Sequence, residues 1–236
     1  MSALLTSRGG QIGPPLRSFQ MRLLIATTNR DKVREIGRIL EGLPIEVLTL
    51  DVWPDIAPPV ENGDTFQANA RAKALYYSHA TRELVVAEDS GLEIDALGGA
   101  PGVESARFGG VETSYPEKFA LIYEALAKCR AGPLDPPRAG SDRTRPTPGS
   151  PARFVCALAV ARDGDVLFEA LGTVEGEIAP APKGGGGFGY DPIFFYPPYG
   201  RTLAEVTAEE KAAVSHRGAA FRALRAWLAK GLMADG

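Results

Sequence analysis

The chain has 236 residues, of which 44% are hydrophobic and 23% charged, a balance typical of a soluble globular protein. Its 26 Lys and Arg residues face 29 Asp and Glu residues, and the net charge of −3 disfavours a general nucleic-acid binder. No apolar run reaches the roughly 18 residues of a membrane span. Cys129 and Cys156 lack metal-binding spacing, so we expect reduced thiols and a cytoplasmic protein.

The first 20 residues contain two arginines, no acidic residue and scattered glycine, proline and serine. We expect either a disordered extension or a start that is assigned too early. The fold is therefore predicted to begin near Met21. Residues 21–236 are predicted to form a single domain.

The first predicted unit is a buried parallel strand over Arg22–Ala26, a polar turn, and a helix over Lys32–Glu41. The spacing of Val33, Ile36 and Leu40 gives the helix its apolar face. Its polar residues are expected on the solvated face; they are Arg34, Glu35, Arg38 and Glu41. A turn of this kind presents backbone N–H groups to an anion, although many such turns bind nothing.

A second strand is predicted over Glu46–Leu50, and a helix over Thr65–Ala80 follows a proline-rich connection. Asp64 and Gln67 have the spacing of a capping box for this helix. Asn69 and Lys73 lie four residues apart and therefore share one face.

A short apolar run, Leu84–Ala87, leads directly into Glu88, Asp89 and Ser90. Carboxylates placed where a buried strand ends are a common way to hold a hard divalent cation. An ordinary strand-to-loop junction with solvated acids would look the same in sequence, so both interpretations stay open on this stretch alone.

A helix is predicted over Glu117–Cys129, with Phe119, Ile122, Tyr123 and Leu126 facing inward. Residues 131–152 are rich in proline and glycine, which predicts a flexible insertion. Strands over Phe154–Ala161 and Val166–Thr173 are expected to form a hairpin around Asp163-Gly164.

The last third combines a glycine-rich loop at 183–191, a strand over Ile193–Tyr196 and a capping box formed by Thr207 and Glu210. A final helix is predicted over Ala219–Lys230. Cations spread along the whole chain accompany these turns and loops; they are Lys32, Lys73, Lys211 and Arg217. Together they indicate one polyanionic ligand in a cleft.

Four motifs in order resemble the signatures of the inosine triphosphate pyrophosphatase family. Thr27–Lys32 is similar to its T-x-N-x-x-K opening. Ala87–Leu92, together with Ala96–Val103 and Ser105–Arg107, is similar to its central signature. The two C-terminal signatures are resembled by Phe188–Phe194 and by Glu210-Lys211 with Ser215–Arg217. The match runs from about residue 22 to 230.

The resemblance implies an α/β fold with a long, mixed, twisted central sheet, helices on both faces, and two lobes flanking a nucleotide cleft. It implies Mg²⁺-dependent hydrolysis of ITP, dITP or XTP between the α- and β-phosphates, and a homodimer. The purine nucleoside triphosphate is the implied partner, with neither nucleic acid nor membrane.

The resemblance also assigns roles to single residues. Asp89 is implied as metal ligand and proton acceptor, and Lys32 and Lys73 as catalytic cations on the triphosphate. The implied substrate contacts are Thr27, Thr28, Asn29, Arg30, Asp31, Lys32, Asn69, Ser90, Phe188, Gly189, Tyr190, Asp191, Lys211, His216 and Arg217.

Two positions depart from the family pattern. The family often has Asp where this chain has Glu88, which keeps the acidic character. Its F-x-E-N-A helix motif becomes Phe66–Ala70 without the glutamate. If that acid supports the metal, Glu61 or Glu88 is expected to take its place.

We expect selection for a purine 6-keto group, because Arg217 and His216 can donate hydrogen bonds to it whereas the adenine amino group would meet donor with donor. Two alternatives stay open. One is a related pyrophosphatase for other modified nucleotides, and the other is a nucleotide-binding regulator without catalysis.

Overall fold

The computed structural model describes residues 21–130 and 149–234. Five helices occupy this part of the chain; they are α1 (Arg30–Leu40), α2 (Phe66–Thr81), α3 (Tyr115–Arg130), α4 (Ala208–Val214) and α5 (His216–Ala234). Seven strands accompany them; they are β1 (Met21–Ile25), β2 (Ile45–Thr49), β3 (Leu84–Ile94), β4 (Ser150–Arg162), β5 (Asp165–Ile178), β6 (Phe194–Tyr196) and β7 (Arg201–Thr202). None of these helices is long and apolar enough to cross a membrane.

The strands form one mixed sheet in the order β2-β1-β3-β4-β5-β6-β7. The first three pair in parallel and the remainder antiparallel. This confirms the expected α/β architecture. β3, β4 and β5 are 11 to 14 residues long, which accounts for the length of the sheet.

Alternation of side chains across the sheet builds a separate core on each face. On one face, Leu23, Val86 and Leu158 pack with α1 and α5. On the other face, Val85 and Ala157 pack with α2. Because many side chains at the α2 contact are alanines, this helix lies close to the sheet. A third apolar cluster joins α3 to the far halves of β3 and β4.

The predicted hairpin is present, but its strands are longer than the sequence indicated. Asp163 and Gly164 both have positive φ, +52° and +90°, as a tight hairpin turn requires. β4 already begins at Ser150, so residues 150–152 of the expected insertion are strand, whereas residues 131–148 lie outside the described residues. Pro151 has no backbone N–H to donate, and it lies where β3 no longer accompanies β4, because the pairing of these two strands ends at Ala152.

The predicted helices differ from the observed ones at their ends, and the N-cap residues of α2 and α5 explain two of these differences. The N-cap of α2 is Thr65, whose side chain accepts from the N–H of Ala68, and not Asp64. The final helix begins at His216 and continues through Gly231, beyond the predicted Ala219–Lys230. Ser215 caps its start by accepting from the N–H of Gly218, and serine is a residue typical of helix N-caps. The predicted capping box of α4 is confirmed.

Candidate active site

The two neighbouring carboxylates lie in the middle of β3 and not at its end. β1 accompanies β3 only as far as Ile25 and Val86, whereas β4 pairs with β3 up to Ile94. Pairing with β4 keeps the polar residues in strand conformation, and the end of β1 opens a space beside them. Since successive side chains of a strand point to opposite faces, Glu88 lies on the α1 and α5 side and Asp89 on the α2 side.

Glu88 is buried in a set of charged partners. Its carboxylate contacts Lys32 Nζ at 2.6 Å and Arg217 Nη2 at 3.3 Å, and it accepts from Cys156 Sγ at 3.2 Å. Burial alone would raise the pKa of Glu88, but the charges of Arg217 and Lys32 hold it well below its usual range. Glu88 is therefore an ionised carboxylate committed to organising two cations.

Asp89 is also buried, but only neutral groups bind it within the described residues. Asn69 Nδ2 donates to its Oδ2 at 2.9 Å, and the N–H of Ser90 donates to its Oδ1 at 3.0 Å. Burial raises the pKa of Asp89, opposed by the hydrogen bond from Asn69 and by the more distant lysines. A carboxylate with a raised pKa and no ion pair is suited to accept a proton or a cation.

Lys73 and Glu61 lie on the same side of the sheet as Asp89. Lys73 Nζ contacts Glu61 Oε1 at 2.7 Å and donates to the backbone carbonyl of Glu88 at 3.2 Å. Asn69 fixes the nearby loop by bonding both backbone groups of Gly63, at 2.8 and 3.3 Å. The shared helical face of Asn69 and Lys73 thus brings an amide and a cation to Asp89.

These residues fit a magnesium ion only in part. Residues 21–130 and 149–234 contain no group of three or more His, Cys, Asp or Glu arranged for a metal. Asp89 and Glu61 line one cavity, and Mg²⁺ needs few protein carboxylates when phosphate oxygens complete its octahedron. Glu88 does not fit, because Lys32 and Arg217 occupy its oxygens on the opposite face.

The predicted segment Thr27–Lys32 divides among three places. The side chains of Thr27, Asn29 and Lys32 line the cavity of Asp89. Thr28 and Arg30 line a separate groove, and Asp31 pairs with Arg34 beside a neighbouring cavity. Asn29 is the N-cap of α1 and accepts from the N–H groups of Asp31 and Lys32, so these two amides are not free for an anion.

The aromatic loop covers the other end of the cavity. The Phe188 ring lies over Lys211 Nζ at 4.6 Å and over the Arg217 guanidinium at 5.4 Å. Asp191 accepts from the N–H of Phe188 at 2.7 Å and from Lys211 Nζ at 2.5 Å. Gly187 has a φ of +66°, and a Cβ there would overlap the Asp191 carboxylate. Glycine is thus needed where this loop turns.

Glu35 belongs to the site although the sequence placed it on the solvated face of its helix. It contacts Lys211 Nζ and Arg217 Nη1, each at 2.7 Å. Burial opposes ionisation, yet Arg217 and Lys211 lower the pKa of Glu35. Its three-residue spacing from Lys32 puts both side chains on one helix face, a signal that could have identified it.

His216 and Arg217 begin α5 inside the site. The His216 ring stacks on Phe154 at 4.8 Å, and its Nδ1 is buried with no hydrogen-bond partner among the described residues. Burial and the charge of Arg217 hold the pKa of His216 well below its usual value, so the imidazole is neutral. Arg217 gives its Nη groups to Glu35, Glu88 and Ser90, and its Nε has no partner in the part of the chain that the structure describes. Its guanidinium fork is therefore not free to bind a keto group, contrary to the expectation from sequence.

One cavity of about 220 Å³ brings most of the predicted residues together. It is lined by Thr27, Asn29, Lys32, Glu61, Lys73, Asp89, Ser90, Phe188, Gly189, Tyr190, Asp191, Lys211, His216 and Arg217. Ser105, Arg107, Tyr115 and Phe154 line it as well, although the sequence pattern assigned them no role in the site. A second cavity of about 280 Å³ adjoins it at Phe188 and Lys211. Asn69 and Glu88 do not line the cavity, but their hydrogen bonds and ion pairs hold residues that do.

Comparison with known proteins gives a consistent result over nearly the whole chain. The model of the Ham1 family matches residues 23–227. The chain is 44% identical to a dITP/XTP pyrophosphatase of an Exiguobacterium species over 210 residues, covering 87% of this chain and 96% of the relative. It is 43% identical to the dITP/XTP pyrophosphatase of an Anaeromyxobacter species, covering 88% and 96%.

Solved structures agree with these relatives. A HAM1 protein from Coxiella burnetii superposes with a TM-score of 0.76 and 34% identity, covering 89% of this chain and all of that one. A nucleoside-triphosphatase, or dITP/XTP pyrophosphatase, from Mycobacterium abscessus gives a TM-score of 0.63 and 38% identity, covering 88% and 99%.

Proposed function

Because the chain belongs to the Ham1 family, we propose that its cavity hydrolyses deaminated purine nucleoside triphosphates, namely ITP, dITP and XTP. The products are a nucleoside monophosphate and pyrophosphate. The enzyme is a hydrolase of nucleotide metabolism, and its activity removes bases that would be misincorporated into DNA and RNA. The identity of 44% with a dITP/XTP pyrophosphatase over most of both chains supports this substrate class.

Asp89 carries the chemical part of the proposal. It is a buried carboxylate in the cavity, it has a raised pKa, and only neutral groups bind it within the described residues. Asp89 accepts the proton of the water that attacks the α-phosphorus, and the bond from that phosphorus to the bridging oxygen breaks. Asn69 holds the carboxylate in place through Oδ2, which leaves a lone pair of Oδ1 toward the cavity.

Nucleotide pyrophosphatases generally use a divalent metal, and we propose Mg²⁺ held by Asp89 and Glu61. Bound there with phosphate oxygens, the ion would make a water more acidic and offset the charge of the phosphates. Glu61 already contacts Lys73, so this ion and Lys73 would share its carboxylate.

The lysines stabilise negative charge on the phosphates. Lys73 reaches the cavity from α2 and Lys32 from the first turn of α1, on opposite sides of β3. Each is held by a carboxylate, Glu61 or Glu88, so little reorganisation is needed when charge develops on the leaving pyrophosphate. Thr27 and Asn29 complete this wall.

Base selection belongs to the end that Phe188 covers. Lys211 keeps one of its three N–H donors after binding Glu35 and Asp191, and neutral His216 has one N–H. A 6-keto oxygen accepts from such donors, whereas the amino group of adenine would place donor against donor in a buried site. Arg217 acts here by holding the side chains of Glu35, Glu88 and Ser90 in position through hydrogen bonds.

A homodimer and a cytoplasmic location also belong to this proposal. The homodimer follows from the family that the sequence motifs resemble, and the cytoplasmic location from the expected reduced state of Cys129 and Cys156. Size-exclusion chromatography with light scattering measures the first.

A panel of nucleoside triphosphates with MgCl₂ tests the function. We expect dITP, ITP and XTP to yield monophosphate and pyrophosphate at rates at least about a hundredfold above ATP, the discrimination reached when a buried donor loses its acceptor. Comparable rates with ATP would overturn the assignment of substrate. Release of orthophosphate would overturn the assignment of the bond. Hydrolysis of modified pyrimidine nucleotides instead would favour the related pyrophosphatase, and absence of turnover would favour the regulator.

A further inference from the structure

Arg107 is a cation of the cavity wall to which the proposed mechanism assigns no role. It follows β3 in the loop that leads to α3, and its side chain lines the same cavity as Lys32, Lys73 and Asp89. The side chain is 38% exposed, so water and a ligand can both reach it. Arg107 belongs to the central sequence signature, but the resemblance assigned it no role in the site.

The hydrogen bonds of Arg107 leave part of its guanidinium available. Nε and Nη2 bind the Glu104 carboxylate, and Nη2 also donates to the backbone carbonyl of Glu61 at 3.2 Å. Nη1 has no hydrogen-bond partner within residues 21–130 and 149–234. The planar guanidinium fork matches two oxygens of a phosphate group, which a lysine cannot do.

The partner of Arg107 is easily exchanged. The Glu104 side chain is 53% exposed and three residues away, so this is a surface ion pair of small net stability. Lys32 and Lys73 differ, because their carboxylate partners Glu88 and Glu61 are 2% and 35% exposed. Of these three cations, Arg107 can change from carboxylate to phosphate at the lowest cost.

The contacts of Arg107 place it at one end of the cavity. It touches the loop of Glu61, which pairs with Lys73 beside Asp89. The other end is closed by Phe188, Lys211 and their partners, where the base belongs. A triphosphate that passes Asp89 at its α-phosphorus therefore extends its outer phosphates toward Arg107.

We propose that Arg107 binds the β- and γ-phosphates of the substrate and the pyrophosphate product, exchanging Glu104 for phosphate oxygens. This inference rests on the proposed function. It adds a third cation to Lys32 and Lys73 and makes the chain from Ser105 to Arg107 part of the substrate site. It also explains recognition of a triphosphate rather than a monophosphate.

The test compares three variants of the full chain: Arg107→Gln, Glu104→Gln, and Arg71→Gln as a matched control. Arg71 also forms an exposed ion pair, with Glu169 at 2.6 Å, but does not line the cavity. Steady-state kinetics with dITP and MgCl₂ gives KM, and inhibition by pyrophosphate and by dIMP gives the affinity for each product. Thermal unfolding checks that each variant is folded.

We expect Arg107→Gln to raise both KM for dITP and the inhibition constant of pyrophosphate about tenfold, the loss of one charge-assisted hydrogen bond. Inhibition by dIMP should change less than about twofold, and the same holds for every constant of Arg71→Gln. Glu104→Gln should not weaken the binding of pyrophosphate, because it removes the carboxylate that competes with phosphate for the Arg107 guanidinium.

Three results would overturn the inference. One is equal weakening by Arg107→Gln and Glu104→Gln, as expected if their ion pair only shapes the loop. The second is a loss of dIMP affinity in Arg107→Gln as large as the loss of pyrophosphate affinity. The third is an inhibition constant of pyrophosphate that Arg107→Gln leaves unchanged. Failure of the wild-type enzyme to hydrolyse dITP would instead refute the proposed function.

Discussion

The two ends of the cavity differ in how completely their charged side chains are paired. At the base end, Glu35, Glu88, Asp191, Lys211 and Arg217 satisfy one another in a buried network of ion pairs. At the proposed phosphate end, the described residues bind Asp89 through neutral groups only, and Lys73 and Arg107 pair with more exposed carboxylates. The base end is therefore preorganised before substrate arrives, whereas the phosphate end has charges that substrate and metal can complete.

Glu88 and Asp89 show the contrast within one dipeptide. Strand geometry sends the first into the buried network and the second into the open end. Two adjacent acids of similar burial consequently differ in the direction of their pKa shift. One of these sequence neighbours thus takes on a structural role, and the other the catalytic role that we propose for it.

The largest expected effect on stability is at Glu88. Glu88→Gln removes one carboxylate partner of the buried Arg217 and leaves the partly buried Lys32 ammonium without its counter-ion, so we expect a loss of about 3 kcal/mol in the free energy of unfolding. Urea unfolding at pH 7 measures it. Glu93→Gln is the control, since Glu93 lies on the same strand in a partly exposed ion pair with Arg153 and should change stability by less than about 0.5 kcal/mol. Equal losses would contradict the closed-network description.

The base end should also respond to pH through His216. Its folded pKa lies well below the usual value of 6.5, so the unfolded chain binds a proton that the folded chain does not. The contribution of His216 to the free energy of unfolding is therefore fully present above pH 6.5. It falls as the pH decreases below 6.5, by up to about 1.4 kcal/mol per pH unit. Carboxylates with a lowered folded pKa make the stability depend on pH only in a more acidic range.

Unfolding measured from pH 7.5 to 5.5 tests this slope. His216→Gln should reduce it, and His79→Gln, at the other, exposed histidine, should not. An unchanged slope in His216→Gln would show that its imidazole is protonated in the fold.

More of the contacts at the phosphate end than at the base end could be predicted from the sequence. Asn69 and Lys73 could be placed on one helix face from their spacing, and Asp89 from its position after an apolar run. The partners of Glu35 could not be predicted, because they lie some 180 residues away and polar side chains on a helix usually face water. The length of β3 was missed because polar residues ended the apolar pattern, although β4 buries them.

The smallest expected effect on stability is at Asp89. Asp89→Asn removes a buried charge whose raised pKa shows that ionisation is unfavourable there, and Asn can still accept from Asn69. We expect the free energy of unfolding to stay within about 1 kcal/mol of the wild type. A loss as large as that of Glu88→Gln would contradict the contrast between the two acids.

The central claim is that Asp89, at the open end, activates the attacking water. Pyrophosphate release from saturating dITP by Asp89→Asn tests it most directly, with dITP binding measured on the same sample. Asp163→Asn in the distant hairpin turn is the control. We expect turnover to fall about a thousandfold while dITP affinity changes less than about tenfold. Turnover near that of the wild type would contradict the claim.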